Sequence, residues 1–215
     1  KIFTYARDGA AAQGVAFNVA NKTQLDAAVR TALDINPATG LSDGLADQRI
    51  NWLRGDRTNE QTSTGGALRR RNSILGDIIN SGPVYKQEAD PNVQGDGYLA
   101  FVASKASRTA TVYVGANDGM LHAFRASDGK ELFAYMPRAV STDVNKLTNP
   151  NYIHRPYVDG VPNVGEAQIG STWKTVLASG MGGGAQGVFA IDVSDPTSFG
   201  TGNVMFEFTD QDDAD

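Results

Sequence analysis

The chain has 215 residues, a formal net charge of −5 at pH 7, 40% hydrophobic and 20% charged residues, and no cysteine. Such a length suits one domain or two small ones, and such a composition is too apolar for a disordered chain. The lack of cysteine excludes structural disulfides, Cys-ligated zinc, iron–sulfur clusters and a Cys nucleophile, and the acidic balance, with no basic run denser than Arg69-Arg70-Arg71, speaks against nucleic-acid or anionic-membrane partners.

Glycine is frequent at 24 residues, beside 8 prolines and many Asn-Asp-Gly-Ser clusters, which favours turn-rich β structure. The longest uncharged stretch, residues 175–191, holds five glycines and falls short of the ~20 apolar residues a transmembrane helix needs. No leader is visible. A start at Lys1 and a finish in an acidic run lead to the expectation of a piece of a longer protein.

Residues 1–20 read as short extended pieces around an Asp8-Gly9 turn, with Val15, Phe17 and Val19 alternating in period two. The period then changes. Leu25, Ala28, Val29, Ala32 and Leu33 share one helical face, predicting a helix over 22–33 with Asn21 or Thr23 placed to cap it. A second helix is predicted over 45–53, started by Ser42 or Asp43 and stopped at Gly55, with Ala46, Ile50 and Leu53 on one side and Trp52 widening the stripe. Residues 56–72 are polar without periodicity and read as a loop. Their end is the best domain boundary: 1–72 as a segment with two short helices and a polar loop, 73–215 as β structure.

Between 111 and 135 three β-like runs are separated by Asn117-Asp118-Gly119 and Ser127-Asp128-Gly129. Asp-Gly between such runs signals a hairpin, because glycine accepts the positive φ of a tight turn. The result is a three-stranded antiparallel meander. A second copy follows: residues 122–128 align with 189–195 at an offset of 67, with strand-like runs at 175–179 and 203–209 around it. Repeated small antiparallel sheets are the mark of a β-propeller, with blades usually ~40–50 residues apart. The longer offset is accounted for by an insertion, helix-prone at 137–149 and a loop or strand excursion at 152–170. The predicted fold is therefore mainly β, a partial β-propeller of meander blades.

Several patterns that resemble catalytic or ligand motifs lack the right context. Residues 182–187 satisfy G-x-G-x-x-G, but a dinucleotide fingerprint needs a helix after the glycines, and here a strand-like run follows. Residues 40–44 satisfy G-x-S-x-G, but no strand leads into Ser42, which reads as a helix N-cap. The two histidines, His122 and His154, have no partner at zinc-ligand spacing. Asp210, Asp212, Asp213 and Asp215 offer the oxygens calcium takes, although the loop pattern fails at Ala214. Arg54, Gly55 and Asp56 form an RGD triplet, readable as an integrin ligand or as a helix end with a glycine cap.

Residues 75–85, 112–124, 129–137, 152–160 and 187–196 together resemble, in order and spacing, the PilC/PilY-type propeller of type IV pilus tip-associated adhesins. The stretch 51–56 is similar to the one that precedes that propeller, which would make the RGD a family helix end. The resemblance implies a secreted or surface-exposed component at the pilus tip, cell surface or outer membrane, exported through the periplasm. It implies a role in pilus assembly, in opposing retraction and in host-cell adhesion, with pilin or minor pilin subunits and a host receptor as partners. Some members bind calcium, through a loop expected further along the propeller. The hairpin at 114–124 also resembles blades of quinoprotein alcohol dehydrogenases, which use pyrroloquinoline quinone. Those blades carry Trp where Phe133 and Tyr135 stand, and many use a vicinal cysteine pair that this chain lacks. The expected role is thus binding without catalysis, by loops 56–72, 86–97 and 137–170 on a rigid β scaffold.

Overall fold

The structure is a computed structural model that describes residues 1–8 and 12–212. The predicted turn at Asp8-Gly9 falls partly outside them. Two antiparallel meanders of four strands dominate it. The first holds β3 (Val84–Lys86), β4 (Thr111–Ala116), β5 (Met120–Arg125) and β6 (Glu131–Met136). The second holds β7 (Asn163–Ile169), β8 (Thr172–Gly180), β9 (Gly187–Asp192) and β10 (Val204–Thr209). The copies aligned at an offset of 67 residues, β5 and β9, are each the third strand of their sheet. The extra length lies in an insertion after β6, with a short helix (Arg138–Ser141), a 3-10 turn (Val144–Thr148) and an irregular run to 162.

The N-terminal segment joins the first sheet. β1 (Ile2–Ala6) pairs in parallel with β6, Ile2 opposite Ala134, and β2 (Gln13–Ala16) folds back on β1. One apolar core crosses the 72/73 line, with Phe17, Leu33, Ile50 and Trp52 in the same cluster as Leu121, Phe133, Leu177 and Phe189.

The helices keep their predicted apolar faces but not all their predicted bounds. The first, α1, runs Ala27–Asp34, with Leu25, Val29 and Leu33 buried as the spacing requires. It starts five residues late because the buried Asp26 is committed to partners outside the helix. The Asp26 carboxylate accepts from the backbone of Arg7 (2.6 Å) and Asp8 (2.8 Å) and pairs with Arg138 Nε (2.6 Å). Residues 19–24 form a 3-10 turn instead, capped by Asn18 and not by Asn21 or Thr23. Helix α2 runs Ala46–Leu53 close to prediction. Asp43 accepts from Leu45 N (3.1 Å) and grips the buried Arg49 through both oxygens, at 2.7 and 2.5 Å. Ser42 does not cap it, since its hydroxyl donates to Asp34.

Beyond residue 73 the β reading fails in two places. Residues 75–83 are irregular, and strand structure begins only at Val84. Tyr98–Lys105 forms a helix, α3, whose Tyr, Phe and Val content imitates a strand. Only Tyr98 of it is buried, held by Trp173 edge-on at 4.6 Å, while Leu99 is exposed. Among the described residues no helix is long and apolar enough to cross a membrane.

The two sheets pack through aromatic rings. Phe133 of β6 stacks on Phe199 at 3.8 Å, Phe199 meets Phe3 edge-on at 5.3 Å, and Tyr135 lies 5.0 Å from Phe189 of β9. Buried polar groups add direction to this contact. The Tyr135 hydroxyl donates to Glu207 of β10, whose two oxygens also accept from Arg138 N at 2.8 Å. Burial outweighs these donors and lifts the Glu207 pKa to about 7. At the outer rim Lys86 Nζ meets the buried Glu166 at 2.8 Å, and Arg108 donates to Thr175 Oγ1 at 2.5 Å, so both sheets are pinned.

The glycine run after β8 has a packing role. Gly184 passes so close beneath the Tyr157 carbonyl that an added Cβ would lie 1.7 Å from its oxygen. Gly182 takes φ 57°, and an added Cβ at Gly187 would lie 2.7 Å from Phe208 O, so turn geometry and close packing account for the three glycines of the G-x-G-x-x-G pattern.

Removing the inter-sheet ring tests this account. Phe199→Ala is expected to cost about 3–5 kcal/mol, read as a lower urea midpoint with an unchanged slope.

Candidate binding cleft

The turn between β4 and β5 organises the most elaborate surface feature. Ala116 pairs with Met120, leaving Asn117, Asp118 and Gly119 as a three-residue loop with Gly119 at φ 93°. Its two polar side chains bind irregular chain on either side. Asp118 accepts from Gly76 N (2.8 Å). Asn117 donates through Nδ2 to Asp77 (3.0 Å) and accepts through Oδ1 from Tyr157 N (3.0 Å). His154 closes the set with a 2.7 Å contact from Nε2 to Asp77, which donors from Asn117 and His154 hold below the usual carboxylate range against the effect of burial.

His122 lies behind the turn, between Asp118 (3.1 Å) and Glu131 (2.7 Å). Burial alone would depress its pKa. The two carboxylates overcome that and push it up to about 10. The imidazole is therefore a cation at neutral pH, fixing the turn from within.

The opposite wall comes from α2 and the polar stretch after it. Residues 56–72 contain no helix or strand, as predicted, yet a buried ion pair anchors them. Arg71 Nε meets Glu60 at 2.8 Å, its Nη1 and Nη2 donate to the carbonyls of Trp52 and Asp56 (2.7 Å each), and its guanidinium stacks 3.7 Å over Trp52. Two residues earlier, Arg69 is fixed at both ends of its peptide unit. Its N–H donates to Thr148 O (2.9 Å) and its carbonyl accepts from Trp52 Nε1 (2.9 Å). Arg69 Nε donates to Leu147 O (2.6 Å), and its guanidinium lies 4.5 Å over the Tyr152 ring.

Between these walls opens a cleft of about 410 Å³, lined by Trp52, Arg69, Leu75, Asp77, Tyr152 and His154 among others. It joins two of the three loops singled out from sequence, 56–72 and 137–170. The third, 86–97, stands over the β7–β8 hairpin, where Asp96 O accepts from Trp173 Nε1 (2.8 Å).

The other predicted site residues lie elsewhere. Arg54, Gly55 and Asp56 form the end of α2. Arg54 Nη1 donates back to Phe17 O (2.7 Å), Gly55 takes φ 102°, and Asp56 accepts from Thr58 N (2.7 Å), which lowers its pKa. Asp212 has both oxygens occupied, one by Arg7 and the other by Thr209 N (2.9 Å) and Oγ1 (3.1 Å). Asp210 borders a second cleft beside Asp26 and Arg138. Asp213 and Asp215 lie outside the described residues. Among the described residues no three His, Asp or Glu side chains converge as a metal site.

Two antiparallel four-stranded meanders, packed face to face with loops inserted between them, define a β-propeller-type repeat domain that bears a cleft. The family model of the PilY1 beta-propeller domain matches residues 75–215. The chain belongs to this family. A "Type IV pilus biogenesis factor PilY1 homolog" of Xylella fastidiosa is 45% identical over 161 residues, 70% of this chain and 13% of that protein. The "Type IV pilus biogenesis factor PilY1" of Pseudomonas aeruginosa strain PAK is 44% identical over 168 residues, 74% of this chain and 14% of that protein. The crystal structure of the Pseudomonas aeruginosa PilY1 C-terminal domain is 34% identical, covering 58% of this chain and 25% of that one with a TM-score of 0.46. The chain thus spans about a seventh of the length of the curated relatives it matches.

The His122 arrangement has a pH signature. Its folded pKa lies above its ordinary 6.5, so its contribution to stability is complete below about pH 6.5 and is lost as pH rises through about 10. The urea midpoint of the wild type over His122→Gln is expected to shrink across that window. A difference constant from pH 6 to 10 would contradict it.

Proposed function

We propose that the chain is part of a type IV pilus biogenesis factor, acting at the cell surface as a rigid binding platform for pilus subunits and not as an enzyme. The relatives, named as type IV pilus biogenesis factor PilY1 and its homologue, support the pilus role. The observation that carries the platform reading is the convergence of loops 56–72 and 137–170 on one cleft, with Arg69 fixed between them. Recognition by loops on a β scaffold is the usual division of labour. The groups that line the cleft are held by strand turns and helix ends, which keeps the surface in one shape before a partner arrives. Contact with a pilin or minor pilin subunit is the reading this surface favours, with attachment to a host surface following from the pili it helps to build.

The test uses the full-length protein in a piliated bacterium that carries this gene. Arg69→Glu combined with Tyr152→Ala is expected to lower surface pili and twitching severalfold while the protein is exported at the wild-type amount. Unchanged pili at equal export would remove the platform reading.

A further inference from the structure

Five arginines are at least half-buried around α2 and the insertion, and four have a carboxylate partner. Arg49 pairs with Asp43, Arg71 with Glu60, Arg138 with Asp26 and Arg155 with Asp143. Arg69 is the exception. Among the described residues its Nη1 and Nη2 have no hydrogen-bond or ion-pair partner, although burial pushes its pKa down. A partly desolvated cation without a counter-ion is costly to hold. The fold nonetheless fixes it, through its own peptide unit, the Leu147 carbonyl and the faces of Tyr152 and Trp52. With Nε occupied, the two terminal nitrogens remain as a pair of donors on a residue that lines the cleft. Paired donors of this kind match the two oxygens of a carboxylate.

We propose that this cleft is a carboxylate site, which takes an acidic residue of an extended protein segment whose neighbouring side chain is apolar. The inference rests on the platform reading and names the chemistry of its partner.

Three observations select this occupant. The acids already in the cleft are engaged: Asp118 by Gly76 N and His122, Asp77 by Asn117 and His154. They leave the Arg69 donors unmatched, and the exposed Arg70 adds a second positive charge on a chain that is acidic overall. The rim is apolar, with Ile74 and Leu75 exposed beside the Trp52 floor. A side chain next to the acidic residue would cover them. The third observation is the nearness of Asp77 and Asp118, which disfavours a phosphate dianion more than a singly charged carboxylate. At about 410 Å³ the space falls in the ~300–1,000 Å³ range of small-ligand sites.

The experiment measures binding of capped acetyl-leucyl-glutamyl-leucinamide to the 215-residue chain and compares it with the glutaminyl counterpart, which has the same shape and no charge. The two tryptophan indole signals in ¹H–¹⁵N NMR report position, because Trp52 lines the cleft and Trp173 does not. The expected result is at least tenfold tighter binding of the glutamyl peptide, with the Trp52 signal moving and that of Trp173 still. Arg69→Gln should bring the two peptides to equal affinity, and Arg69→Lys should retain part of the preference. Equal binding by the wild type would overturn the assignment without any variant, as would a preference that survives Arg69→Gln. Inorganic phosphate displacing the glutamyl peptide at lower concentration than acetate would replace it with a phosphate site. None of these failures touches the platform reading, which stands or falls on pilus number. Loss of pili without a glutamyl preference would keep the platform and remove this ligand.

Discussion

The Asn117-Asp118-Gly119 turn is the constraint on which the cleft depends. Residues 75–83 and 149–162 have almost no regular structure, so their backbone polar groups need partners outside any ladder. The turn supplies several. Asp118 takes the Gly76 N–H, Asn117 takes that of Tyr157, and the Asn117 N–H donates to Asp77 O at 2.9 Å. A hairpin of ordinary length thereby fastens two distant segments to one point of a β-sheet. The protonated His122 beneath it keeps Asp118 in place, because a carboxylate paired from behind cannot swing away without breaking a buried contact.

Charge in this molecule serves position more than stability. A buried ion pair gains little net free energy after desolvation, but removing one partner leaves the other stranded. Arg71 with Glu60 and Arg49 with Asp43 therefore act as registers for chain that periodicity leaves undefined. Arg71 also stacks on Trp52 and bonds the Trp52 carbonyl, so the polar stretch is drawn against α2 and carries Arg69 with it. The placement of Arg69 is thus a consequence of the neighbouring pair and of the carbonyls at the end of the 144–148 turn. Those carbonyls lack intrahelical donors and accept readily from an arginine.

The sequence makes the local features legible and hides the convergent ones. Asp-Gly turns announce the β4–β5 and β5–β6 hairpins, and the 67-residue echo marks the third strand of each sheet. Helix faces follow from spacing, since Leu25, Val29 and Leu33 are buried even though the backbone breaks at Asp26. That break has no local signal, because it depends on Arg138, 112 residues away. The parallel pairing of β1 with β6 is likewise non-local, and α3 is written in residues that favour strands. The cleft has the weakest local signal. Trp52 shows only as a wider helix stripe, and Arg69-Arg70-Arg71 only as a basic run. Their roles diverge because one guanidinium finds Glu60 and the next but one finds carbonyls and rings.

The same rigidity explains why such a surface is suited to recognition. Association loses conformational freedom in side chains and loops, and a surface already held in place loses less. Around Arg69 the hydrogen-bond partners are internal to the fold: Trp52 Nε1 donates to its carbonyl, while Thr148 O accepts from its N–H and Leu147 O from its Nε. A guanidinium restrained in this way has few rotamers left to surrender when a partner arrives. Its terminal nitrogens sit in a partly dry, aromatic setting in which a charge-assisted bond is stronger than in bulk water. The interaction that the interior omits at Arg69, and supplies to Arg49, Arg71 and Arg138, is left to be made from outside.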